Sequence, residues 1–438
     1  MTLLAHGVGG STDLPIPYTY ALIGAAWALT LTFAVVALAW RTPRFDPAAP
    51  GHRLPRWVAR LVDSSAVRLA LGLLTLAFAL WVVLAAVFGP QDARNALPGA
   101  FYVLLWVGLV AVSVLVGPVW RAFSPPRTLW RLVRGDRTTG LRAYPAGWGY
   151  RPAALGLFAF VWLELASPNP GALSAIKTWL LCYVVLAFAG AALFGTRWFA
   201  RADPFEVYSM VASRVSPFRR NPAGNLVVGN PFDHLPSLPV RSGTVAVLAV
   251  LLGSTAFDSF SAMPQWRGFV ERLADGGWAA TAVNTAGLIG FIGAVATTFW
   301  FAARATGGVD RAQRRALPGL LAHSLVPIVL GYVFAHYLSY LIERGQQTLI
   351  ALADPLDRGW NLLGLGNAEV SYLLSMHPTV LATLKVAGVV VGHMAGVIAA
   401  HDAALRLLPK RHQLTGQLAM MVVMVAYTFT GLYLLFGG

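Results

Sequence analysis

Long unbroken apolar runs separated by short polar stretches dominate the chain, without the two-residue alternation of half-buried strands. Crossing bilayer hydrocarbon takes roughly 20 mostly apolar residues. Ten runs meet or approach that length: about 18–40, 67–89, 98–120, 152–167, 173–195, 243–260, 280–303, 317–342, 378–401 and 416–436. The fourth is short, held between Arg151 and Pro168. Continuous runs predict helices rather than barrel strands. Gly, Ala, Ser and Thr are frequent within them, as close helix packing in lipid requires. No internal repeat is evident. The expected fold is an all-α polytopic membrane protein of about ten transmembrane helices, a single domain over 1–438.

Composition agrees. Of 438 residues, 57% are apolar and 12% charged, against about a quarter charged in soluble domains. With a mean hydropathy of +0.63, a water-soluble globular fold is excluded. A net charge of +15 would suggest nucleic acid in a soluble protein. Here 26 of the 33 basic residues fall in alternate loops, about 41–66, 121–151, 196–242, 304–316 and 402–415, or at their edges. The opposite loops hold only Arg94, Arg267, Arg272, Arg344 and Arg358, while Lys177 and Lys385 lie inside spans. Basic loops stay cytoplasmic, so both termini are expected outside a plasma membrane. The charge is then orientation charge, and the partner is a lipid bilayer rather than nucleic acid. Residues 1–17 lack the regions of a signal peptide, so the first helix is expected to act as an uncleaved insertion signal. The single cysteine, Cys182, excludes a disulfide framework within the chain and a CxxC pair. Two loops are long enough to carry shape. The 196–242 loop contains ADPFEVYS (202–209), and the outer 343–377 loop, with Trp360, reads as a lid or a segment lying on the membrane.

No phosphate loop, dinucleotide turn, GxSxG elbow or HExxH helix is present. Any chemistry must come from ionisable residues among the helices, which are costly there and face the protein interior. At 1.5 Å per residue, Asp258 lies about 23 Å from the cytoplasmic end of its span, Lys385 about 25 Å and His336 about 28 Å. Glu164 and Lys177 belong to the same outer layer. These five either tie helices together as ion pairs or line a pocket in which Asp258 or His336 acts as base and the lysines hold an anionic group. Asp258 sits in STAFDSFSAMPQW (254–266), among Ser254, Thr255, Ser259 and Ser261. A deeper group contains His323 and His393, with His401 and Asp402 at the mouth of the ninth span. His401 is about 12 Å along the axis from His393. A divalent transition-metal site, a proton relay and hydrogen-bonded structural histidines all remain open for them. Gly388, Gly392, Gly396 and Ala400 form a small-residue stripe for close helix approach. His6 reads as part of a polar lead-in.

The segments HGVGGSTDLPIP (6–17), ADPFEVYS (202–209), AFDSFS (256–261), AHSLVPIVLGYVFAHYLSYL (322–341), ADPLDRGWNLLG (353–364) and GHMAGVIAAHDAALRL (392–407) span almost the whole chain. In them the chain resembles a family of actinobacterial polytopic membrane proteins commonly labelled fenitrothion hydrolase. The resemblance implies hydrolysis of a lipophilic organophosphate-type ester. The leading expectation is thus a membrane-embedded hydrolase in which activated water attacks such an ester. The alternative is a permease or ion-coupled transporter using the same residues. A third class is a scaffolding subunit.

Overall fold

The computed structural model describes residues 13–135, 139–273, 278–362 and 364–436; His6 and most of the 6–17 motif lie outside them. The first helices are α1 (Tyr18–Ala39), α2 (Arg56–Asp63) and α3 (Ser65–Phe88). A π-wound segment, Gly99–Gly108, runs directly into α4 (Leu109–Val116), followed by α5 (Trp120–Phe123) and α6 (Pro125–Arg134). Next come α7 (Arg151–Leu165), α8 (Leu173–Phe194), α9 (Thr196–Ala202), α10 (Pro204–Ala212) and α11 (Pro231–His234). The second half holds α12 (Thr244–Ser261), α13 (Pro264–Leu273), α14 (Trp278–Arg304), α15 (Arg311–Leu321) and α16 (Leu325–Ser339). A second π-wound turn, Tyr340–Arg344, joins α16 to α17 (Gly345–Ala353), and α18 (Pro378–Leu407) and α19 (Leu418–Phe436) complete the chain.

Among the described residues, nine helical segments are long and apolar enough to cross a membrane. The chain is a multi-pass, all-α membrane protein. The tenth expected span is α7, whose 15 residues reach about 22 Å, short of the roughly 30 Å hydrocarbon core. It packs inside the bundle, where Ala153, Leu157 and Phe160 are fully buried.

The Arg-rich loops gather at one end of the bundle. There His52–Arg53 (β1), Phe218–Arg220 (β2) and Leu226–Val228 (β3) form a small antiparallel sheet in the order β1-β3-β2. Val228 pairs with both His52 and Phe218, which ties the first basic loop to the third. Asp402 accepts the backbone N–H groups of Arg44 and Phe45, tying the same loop to the end of α18. We call this the basic end. At the other end, Trp81 donates to the Leu352 carbonyl and Arg94 pairs with Asp357. The basic and sparsely charged loops therefore occupy different ends, as their alternation along the chain predicts.

The glycine stripe is a helix seam. A Cβ on Gly392 would lie 2.7 Å from the Pro327 carbonyl oxygen and 3.0 Å from the Gly331 Cα, and one on Gly396 would lie 2.8 Å from Ile328. α16 and α18 thus touch backbone to backbone, and only glycine permits that approach.

Two loop expectations need correction. Residues 343–353 of the expected outer loop are helical, because α16 continues through the π turn into α17. Beyond them, Leu362, Tyr372, Leu373 and Met376 are exposed. The 196–242 segment is more than a surface loop. Gly195, at φ +65°, turns the chain back after α8, and α9 and α10 enter the bundle as a re-entrant hairpin. The Asp203 carboxylate caps α10 by accepting from the N–H groups of Phe205 and Glu206, which satisfies backbone donors that hydrocarbon cannot. Phe205 packs against Phe160, Trp179 and Tyr183, and Tyr208 against Trp106. With Phe205, Val207, Tyr208 and Val211 all buried, the hairpin belongs to the core.

Candidate functional site

α12 carries Asp258 and α16 carries His336, and the two meet in the interior. His336 Nε2 lies 2.8 Å from Asp258 Oδ2, and the Tyr337 hydroxyl donates to the same oxygen at 3.2 Å. On the far side of the ring, His336 Nδ1 is 3.2 Å from Ser259 Oγ, which is 3.1 Å from the Tyr332 hydroxyl. Tyr332 donates onward to the Gly431 carbonyl of α19 at 3.4 Å. Its ring lies so close to Gly431 that a Cβ there would stand 2.9 Å from Cε2. Helices α12, α16 and α19 thus hold one continuous chain of polar atoms.

The chain can run in either direction. With His336 neutral, Nε2–H donates to Asp258 and Nδ1 accepts from Ser259, whose oxygen accepts from Tyr332. With His336 protonated, Nδ1–H donates to Ser259, Ser259 to Tyr332 and Tyr332 to the Gly431 carbonyl. Hydroxyls supply both roles by rotating, so neither state leaves a buried donor without an acceptor. The His336 side chain is 0% exposed and that of Asp258 10%, which makes the carboxylate the point of access. Two further carboxyl and hydroxyl groups surround it. Glu164, near the end of α7, and Tyr340, in the second π turn, both lie within electrostatic reach of Asp258. Both π-wound segments contribute here, since Tyr102 in the first is also an electrostatic neighbour of Glu164. π-wound turns recur at functional sites.

The lysines expected in this layer belong elsewhere. Lys385 is buried, but the carboxylates within its electrostatic reach are Asp13 and Glu343. Lys177 donates to the Ala86 carbonyl at 3.0 Å and to Gln91 at 3.1 Å, holding the end of α3.

The inner histidines do not converge with Asp402 on one ion. Among the described residues, no group of three or more His, Cys, Asp or Glu side chains is placed to hold a metal. His323 Nδ1 bonds the Leu320 carbonyl and His393 Nδ1 the Val389 carbonyl. His401 bonds Gln417 with Nδ1 and the Trp40 carbonyl with Nε2, and Asp402 pairs with Arg406 besides the first loop. In this arrangement His401 and Asp402 fasten α18 to its neighbours.

A second charged cluster lay hidden in ADPFEVYS. Arg127 of α6, 3% exposed, pairs with Glu206 of α10 at 2.7 Å and lies over the Phe199 ring at 5.2 Å. Asp203, at the hairpin corner, accepts from Trp120 Nε1 and the Tyr183 hydroxyl. Burial raises the affinity of both carboxyl groups for protons, and that of Glu206 is pushed up to about 7 against the pull of Arg127. The legible signal was an Asp-Pro helix start with Glu three residues after the Asp, a capping pattern. Its apolar spacing was masked by the flanking arginines.

No family model, curated protein or solved structure matches the chain.

Proposed function

We propose that this chain is a proton-coupled transporter of the plasma membrane, with its basic end cytoplasmic and both termini outside, that moves a lipophilic small molecule or an ion. The supporting observation is the Asp258–His336–Ser259–Tyr332 chain, whose hydrogen bonds are satisfied with or without a proton on His336. Ionisable groups this deep are rare unless they serve a pathway. A site that reverses its donors by hydroxyl rotation binds and releases protons without exposing the ring. Its carboxylate lies about 21 Å along α12 from the basic end, in the outer half of the bundle. The experiment is proton flux into proteoliposomes under a pH gradient. Wild type carries flux and Asp258→Asn lowers it about 10²-fold; equal flux in the two proteins overturns the proposal.

One observation favours the hydrolase reading. Asp258, His336 and Ser259 are linked in the order carboxylate, imidazole, hydroxyl, at 2.8 and 3.2 Å, which is the order that activates a serine nucleophile. On this reading Ser259 Oγ attacks the ester as His336 takes its proton. A fluorophosphonate that labels wild type but not Ser259→Ala would select it over transport, and absence of labelling in wild type would remove it.

A further inference from the structure

The re-entrant hairpin buries another carboxyl group, Glu206, nearer the basic end than Asp258. α10 ends toward the basic end, and Glu206 lies six residues before its last residue, about 9 Å along the axis. Two residues on, the Tyr208 hydroxyl is fully buried, has no hydrogen-bond partner, and lies within electrostatic reach of Glu164. α10 therefore presents Glu206 to Arg127 and a partnerless hydroxyl within electrostatic reach of Glu164. A hydroxyl left alone in the core costs free energy unless something bonds it.

Resting on the proton-coupled reading, we propose that Glu206, in its ion pair with Arg127, is a second proton-binding site, serving the basic end as Asp258 and His336 serve the other. The step is one proton from water onto the carboxylate, giving a neutral carboxyl beside the guanidinium. Four further groups bear on Glu206. Arg131 of α6 and Arg121 of α5 hold its affinity down, Asp203 at the hairpin corner raises it, and the Tyr183 hydroxyl of α8 lies within electrostatic reach. Arg127 has a role in both states. It neutralises the ionised carboxylate, and it keeps its stacking contact with Phe199 when Glu206 is protonated.

The test is infrared difference spectroscopy on the full-length protein in lipid nanodiscs between pH 5 and 9, which reads the carbonyl stretch of protonated carboxyl groups. The expected result is a band with a midpoint near pH 7 that vanishes in Glu206→Gln, persists in Asp258→Asn, and moves to higher pH in Arg127→Gln. The Arg127 variant keeps the test decisive if Glu206→Gln does not fold. Bands unchanged in both Glu206→Gln and Arg127→Gln overturn the second site. In proteoliposomes, Glu206→Gln is expected to lower wild-type flux at least tenfold, and undiminished flux in that variant also overturns it. Absence of flux in wild type, with the band still titrating as described, removes the transport reading and leaves the second site standing.

Discussion

Asp258 draws its support from His336 rather than from Lys385, and a double-mutant cycle measures the difference. Interhelical hydrogen bonds in membrane proteins couple by about 0.6–2 kcal/mol, and a charged partner brings a buried bond to about 1.5–3 kcal/mol. The contact here is 2.8 Å with both side chains enclosed, so Asp258→Asn and His336→Gln are expected to couple by about 1–3 kcal/mol. The reference cycle pairs Asp258→Asn with Lys385→Met. Lys385 has Asp13 and Glu343 as its electrostatic partners, so this coupling is expected below about 0.5 kcal/mol. Both cycles are read from reversible unfolding in mixed micelles titrated with dodecyl sulfate. Coupling to Lys385 that exceeds coupling to His336 would refute the assignment. It would show that Asp258 and Lys385 belong to one network.

Gly392→Leu is expected to cost more than about 3 kcal/mol, since overpacking alone costs about 1–3 and here the obstruction is the Pro327 carbonyl and the Gly331 backbone; an unchanged melting temperature in detergent would place the stripe outside the seam. Glu206 gains proton affinity on folding, from 4.5 to about 7, so its contribution to stability is fully present below pH 4.5 and falls by about 3 kcal/mol as pH rises to 7. His234, kept neutral down to about pH 4 by burial beside Arg214 and Arg219, contributes with the opposite sign, so the quantity to measure is wild type minus Glu206→Gln; a flat difference between pH 4 and 8 would contradict the raised affinity. Cysteines introduced beside Arg131 and Arg219, after replacing Cys182, should label from one side of the membrane and a cysteine beside Arg358 from the other; labelling of all three from one side would break the two-ended arrangement.

Much of the outline was legible along the chain because transfer into hydrocarbon depends on local composition. Twenty apolar residues report their own preference without knowing their neighbours, and basic residues record which loops share an end. The stripe at Gly388, Gly392 and Gly396 was readable for the same reason, since the four-residue spacing defines a face before any partner is known. Counting residues along the axis also put Asp258 and His336 at similar depth. Depth is one coordinate, however, and contact needs two more.

Those two coordinates, the rotation of each helix and the choice of its neighbour, came only with tertiary structure. They turned Asp258 toward His336 and left Lys385 to Asp13 and Glu343 at nearly the same level. They set His401 against the Trp40 carbonyl and Asp402 against Arg44, where spacing alone also allowed a metal. The hairpin shows the same division most clearly. Residues 202–209 look like loop by the arginines on either side. In the bundle, however, Asp203 can cap α10, Arg127 can neutralise Glu206, and a buried aromatic wall can enclose both. A segment's own sequence sets the cost of leaving water, whereas the partners that offset this cost for buried polar groups come from distant parts of the chain and exist only once the helices are packed.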